Sequence, residues 1–213
     1  LDLAKIYFKN AKIAIDSFHV IKNISNALDT VRKQVMNKYN NGSDEIENNH
    51  DYYYVLKKFK YLLLSNFDDL SDKKFYNRKL KGWYDKHSMR KYILDIDETL
   101  DKAYELYSRY LEFNRCSNFQ DAAYELETLL DDFYNSKITS FIEVAKTISH
   151  WKEYILNSFI TIESINGDKL RRLSNGPIEG INSKLEKINV NGNGYTNFFR
   201  FRNRVIYVVN KDV

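Results

Sequence analysis

The sequence predicts a mostly α-helical protein with few strands, and three observations carry that expectation. The 213 residues include a single proline, Pro177, and proline is the residue that stops helices and punctuates loops. Apolar residues recur at three- and four-residue spacing through most of the chain, which is the period of a helix face. Five of the seven glycines fall after residue 166, so the last segment is built differently from the rest. With 43 % hydrophobic residues, the chain is able to bury a sizeable core, which excludes global disorder.

The elements follow in order. Residues 2–9 read as the end of a helix, and Ala11–Asp16 (AKIAID) as a short buried strand ending in a carboxylate. From Phe18 to about Tyr39, the residues Phe18, Ile21, Ile24, Leu28, Val31 and Val35 fall on one helical face. Asn40–Asn49 is a polar loop. Helices are then expected over Asp51–Leu64, Ser88–Phe113, Asn118–Tyr134 and Thr139–Phe159, with Ser71 and Ser117 as N-caps. Phe67–Asp85 reads as a connector with a short helix. Tyrosine and leucine at helical spacing in this middle region read as core packing and amphipathic surface. Thr161–Leu173 is a polar loop or hairpin. In Ser174–Gly180, a glycine near the cap and Pro177 in the first turn mark a helix start. Ile178, Ile181, Leu185 and Ile188 then form an apolar face. Asn191–Gly194 (NGNG) breaks the chain before a last helix from about Thr196.

Composition narrows the function classes. The lone cysteine, Cys116, excludes an intramolecular disulfide and a cysteine-based zinc cluster, and fits a reducing cytoplasm. The most apolar stretches, such as Tyr61–Leu64, are far too short to span a bilayer, and the 213 residues show no signal-peptide pattern. Leu1–Phe8 already reads as helix interior, so the chain is expected to begin mid-domain, as a fragment or truncated product. Net charge is +4, but residues 169–213 carry nine Lys/Arg and three Asp/Glu. That basic segment suggests an anionic partner, although a solvated basic face explains the same charge. Walker, GxGxxG, GxSxG and HExxH motifs do not occur.

Two separated motifs carry a resemblance. Ser174–Asn182 (SNGPIEGIN), Lys184, Gly194–Phe198 (GYTNF) and Phe201–Tyr207 (FRNRVIY) resemble the C-terminal signature of the ISL-three family of bacterial insertion-sequence DDE transposases. Asn10–Val20 (NAKIAIDSFHV) is similar to a second motif of that family, a strand ending in Asp-x-x-His, and both occur in the family's order.

The resemblance implies that this chain is a mostly α fragment of an α/β RNase H-like fold with an all-helical insertion. Residues 1–40 would be a residual RNase H-like segment with strand 11–16 and a long helix, 41–160 the helical insertion, and 161–213 the catalytic-glutamate and basic helices packing back on the first segment. In such enzymes two aspartates and a glutamate hold divalent ions, Mg2+ or Mn2+, for in-line displacement at a DNA phosphorus. Glu179 matches the glutamate and would be catalytic and a metal ligand. Asp16, His19, Asn175 and Asn182 would support it. Arg171, Arg172, Lys184, Lys187, Arg200, Arg202 and Arg204 would contact DNA. The aspartates lie on strands preceding the Asp16 motif in the family pattern, and Asp2 sits too close to Ala11 for the usual layout.

Plainer readings stand beside these. A glutamate in the first helical turn also complements the helix dipole, and a lone histidine is more often a structural hydrogen-bonder than a ligand. Arg200, Arg202 and Arg204 cannot all share one helix face. The expectation is therefore a transposase for DNA cleavage and strand transfer at element ends, whose fragment is inactive alone and needs no cofactor by itself. The alternative is a non-catalytic helical DNA-binding or assembly module from a degenerate element. An uncovered Ala11–Asp16 strand edge would favour a homodimer.

Overall fold

The computed structural model describes residues 6–7, 12–40, 49–65, 68–163, 170–173 and 176–210. Of these, 69 % are helical, as the near-absence of proline dictates. The chain divides into two compact units, Leu1–Thr161 and Ile162–Val213.

Helix α1 (Ser17–Lys38) is the axis of the first unit. It buries Val20, Ile24, Ala27, Leu28, Val31 and Val35 along one stripe, each Val, Ile or Leu side chain contributing about 1.5–3 kcal/mol on leaving water. That stripe packs chiefly on α4 (Glu98–Cys116) and α6 (Thr139–His150), and less on α2 (Asn49–Lys58). A 3-10 turn, Lys60–Leu63, follows α2; α3 spans Lys86–Leu94, α5 Ala122–Asn135 and α7 Lys152–Asn157. Tyr110, Phe133, Phe141 and Phe159 are the largest fully buried side chains, so the middle aromatics do build core. An antiparallel hairpin, β1 (Phe75–Asn77) and β2 (Gly82–Tyr84), lies between α2 and α3.

Several expectations need correction. The Ala11–Asp16 segment is not a strand over its described residues, Lys12–Asp16. Its backbone is bound to α7 instead: Ile15 N–H donates to the Tyr154 carbonyl at 3.0 Å, and Asn157 Nδ2 donates to the Ile13 carbonyl at 2.8 Å. Ile13, Ala14 and Ile15 are half-buried. The open sheet edge expected to favour a dimer is therefore not found here. The connector Phe67–Asp85 holds the hairpin, not a short helix, over its described part.

Three expected single helices are broken. Asp95–Asp97 separates α3 from α4, because Asp97 caps α4 by accepting from Thr99 N–H and Leu100 N–H. Trp151 divides α6 from α7, and Phe59 divides α2 from the 3-10 turn. Aspartates cap three helices of the first unit through their side chains: Asp16, Asp85 and Asp97. Ser117 instead ends α4, and Ser71 Oγ accepts from Lys73 N–H in a short turn. The expected polar loop at Asn40–Asn49 falls outside the described residues except at its two ends.

Candidate nucleic-acid interface and catalytic glutamate

The second unit holds all but the first residue of a short hairpin, β3 (Thr161–Glu163) and β4 (Leu170–Arg172), then α8 (Gly176–Asn191) and α9 (Phe198–Asn210). The sequence dictates the turn between the helices. The amides of Gly192, Asn193 and Gly194 donate back to the last carbonyls of α8, Ile188, Val190 and Asn189, at 3.1, 3.0 and 2.9 Å. Asn193 and Gly194 take positive φ, 52° and 83°, the left-handed conformation that terminates helices. At Gly192 a Cβ would stand 2.5 Å from the Tyr195 ring, so only glycine lets that ring close over the helix end. Tyr195 packs in turn on Phe201, 5.3 Å between centroids. Asn197 Oδ1 accepts from Arg200 N–H at 3.2 Å and caps α9. The GYTNF motif thus fixes how α8 meets α9.

That junction forms a cleft of about 360 Å³ lined by Lys184, Lys187, Arg204, Ile188, Asn191, Tyr195 and Val208. Three of the predicted DNA-contacting cations therefore come together. Among the described side chains of the predicted apolar face, Ile188 is buried, whereas Ile181 is 44 % exposed. Arg204 also lies over the Tyr207 ring at 5.8 Å. Arg200 and Arg202 are exposed on α9; Arg200 shares the Arg204 face, one turn away, and Arg202 lies on the other side. Arg171 is exposed and Arg172 half-buried on β4.

Glu179 lies in the first turn of α8 and is exposed, as is Asn182 one turn on. Asn175 lies outside the described residues. In the first unit, Asp16 is the N-cap of α1: its Oδ1 accepts from Phe18 N–H at 2.8 Å. His19 is exposed, and its ring meets Phe18 edge-on at 5.8 Å. Asn157, which ties the Asp16 segment to α7, is invisible to sequence reasoning because its partner, Ile13, is 144 residues away.

A family model described as a transposase matches residues 1–205. The chain belongs to the ISL-three family of DDE transposases. No curated protein and no solved structure matches it. Membership of a transposase family implies DNA binding and suggests a divalent metal in the complete enzyme. No helix among the described residues is long and apolar enough to cross a membrane.

The fit of a metal is partial. Glu179 offers a solvent-facing carboxylate, the hard oxygen donor that Mg2+ prefers. Among the described residues, however, no group of three or more His, Cys, Asp or Glu is placed to hold an ion. The described residues do not make a complete metal site by themselves. What they do supply is a cationic cleft suited to phosphate.

Proposed function

We propose that this transposase chain serves DNA cleavage and strand transfer at insertion-sequence ends, with Glu179 as the glutamate of the DDE triad. The observation that carries the reading is the exposed position of Glu179 at the start of α8, the helix whose later residues Lys184 and Lys187 line the cationic cleft with Arg204. One helix then offers both a metal-binding carboxylate and phosphate-neutralising ammonium groups. The metal would supply activation of the attacking hydroxyl and stabilisation of the leaving oxygen. The chain's own cations would hold the backbone in register.

In this reading α1 and the second unit belong to an RNase H-like domain, and the helices between them form its insertion. Asp16 and His19 shape the start of α1 and take no metal. The 213 residues carry one carboxylate of the triad, so the isolated polypeptide does not cleave DNA. The test is cleavage of labelled element-end DNA with Mg2+ or Mn2+. The isolated chain is expected to leave the DNA intact. In the transposase that carries this segment, Glu179→Gln is expected to lower cleavage at least a hundredfold while DNA binding persists. Cleavage unchanged by Glu179→Gln would overturn the assignment of Glu179.

A further inference from the structure

The β1–β2 hairpin is anchored by one face and offered by the other. Its register pairs Phe75 with Tyr84 and Tyr76 with Trp83, and successive side chains point to opposite faces. On the inner face Phe75 stacks on Phe59 and Tyr84 meets Tyr92, each at 6.1 Å between centroids. The turn is held as firmly. Asn77, 4 % exposed, accepts through Oδ1 from the amides of Lys79 and Leu80 at 3.0 and 3.2 Å. Lys79 Nζ donates to the His50 carbonyl at 2.9 Å and sits over the Tyr54 ring.

The outer face presents Tyr76 and Trp83, 50 % and 68 % exposed, with ring centroids 5.6 Å apart. Two large rings left in water on a rigid support mark a binding surface, and charge says what kind. Residues 73–86 hold six cations (Lys73, Lys74, Arg78, Lys79, Lys81 and Lys86) and one anion, Asp85. Their net charge of +5 exceeds the +4 of the whole chain. Because residues 169–213 hold another +6, the rest of the molecule carries −7. Lys73, Lys74, Arg78 and Lys81 are exposed, and none forms an ion pair among the described residues. An apolar protein partner would call for aliphatic neighbours beside the rings; the exposed neighbours along the hairpin sequence are cations instead.

We propose that this hairpin is a second nucleic-acid binding surface, which takes single-stranded DNA with its phosphates on Lys73, Lys74, Arg78 and Lys81 and an unpaired base stacked on the Tyr76–Trp83 pair. It rests on the reading that DNA is the partner, and it is independent of Glu179 and of the α8–α9 cleft. Base–aromatic stacking needs an open base face, which a single strand offers and the interior of a duplex does not.

The test is fluorescence anisotropy of the 213-residue chain with a labelled oligothymidylate of about 15 nucleotides, a length one stacking platform can occupy, and with a blunt duplex. Trp83→Ala is expected to weaken single-strand binding by about tenfold or more, and Trp83→Phe to retain most of it. Duplex affinity should change less than about twofold, since stacking contributes little there. Replacing Lys73, Lys74, Arg78 and Lys81 by Ala should lower the slope of log K against log salt by about 3 for the single strand. Helical circular dichroism checks that each variant folds. Single-strand binding unchanged by both Trp83→Ala and Tyr76→Ala overturns the proposal. If that binding is instead removed by Lys184→Ala with Lys187→Ala and Arg204→Ala, the hairpin inference fails while the cleft reading stands. No binding of either form by the intact chain overturns both.

Discussion

Lys38 donates to Asp97 at 2.7 Å, joining the end of α1 to the start of α4. Asp97 uses its other oxygen to accept from Thr99 N–H at 2.9 Å and Leu100 N–H at 3.3 Å. One carboxylate, 13 % exposed, therefore caps one helix and binds another. Asp97→Ala removes both interactions and should destabilise the first unit by about 2 kcal/mol, roughly one from the cap and up to one from the pair. Asp97→Asn keeps a capping oxygen and should cost about half as much or less. Urea unfolding followed by circular dichroism checks the order; equal losses in the two variants would deny the cap its share.

The same carboxylate makes stability depend on pH. Burial pushes Asp97 up, but hydrogen bonds from Lys38 and from the Thr99 and Leu100 amides outweigh it and hold the group below the usual carboxylate range. Asp29 behaves alike: burial raises it, and Lys33 and Arg32 together bring it lower. A depressed folded pKa means that the unfolded chain binds protons first as pH drops. The stabilisation is thus fully present above the unfolded value near 4 and is lost as pH falls through the folded value. Urea midpoints should hold steady near neutral pH and decline below about pH 5. Lys38→Ala should flatten that decline; an unaltered profile would remove Asp97 from the account.

Arg32 is buried on α1, its Nη1 donating to the Leu56 carbonyl at 2.9 Å and its Nη2 pairing with Asp29 at 2.7 Å. Arg32→Met keeps the length of the side chain but leaves that carbonyl and part of Asp29 unsatisfied. The expected cost is about 2–3 kcal/mol, and adding Asp29→Asn should recover part of it by removing the stranded charge. Chemical denaturation of the single and double variants measures this coupling.

How much of this is legible in the sequence follows from the range of each interaction. The α1 stripe from Val20 to Val35 is local periodicity, and the observed Ser17–Lys38 helix lies within a residue of the expected ends. The Gly192–Gly194 break is equally local. The sequence fuses α3 with α4 because an apolar period runs on through Leu94 and Ile96. Asp97 interrupts it by capping, a competing signal that lies within the helical pattern. The Ala11–Asp16 segment reads as a strand because Ile13, Ala14 and Ile15 form a short apolar run. What claims its backbone is Asn157 and Tyr154 on a distant helix. At the site, residue type marks Lys184, Lys187 and Arg204, while only the turn geometry at Gly192 and Tyr195 brings them to one cleft.

That cleft makes a prediction of its own. If Lys184, Lys187 and Arg204 neutralise phosphates, replacing all three by Ala should weaken duplex binding about equally for every sequence. The slope of log K against log salt should fall by about 2.7, since each phosphate left without its cation removes about 0.9. Arg202→Ala, on the opposite side of α9, should change the slope by less than about 0.9. Filter binding across a salt series decides it, and weakening confined to one DNA sequence would point to base readout instead.

Asp16 separates a capping role from a catalytic one. Its Oδ1 accepts the Phe18 amide at 2.8 Å, and its own carbonyl accepts the His19 amide at 3.1 Å. Both are helix-start interactions, and a neutral side chain with a well-placed oxygen reproduces the first. Asp16→Asn and Asp16→Ser should therefore leave stability within about 0.5 kcal/mol of the original, while Asp16→Ala should lose about 1 kcal/mol. A residue that bound metal would order the same variants differently. Asn and Ser would then be as damaging to transposition as Ala, because neither carries the charge a divalent cation requires. Parallel measurement of urea stability and of transposition frequency for the three variants tests the assignment. Transposition that tracks stability, with Asn and Ser near normal, identifies Asp16 as the residue that starts α1; a loss of transposition in stable Asp16→Asn would make it part of the metal site.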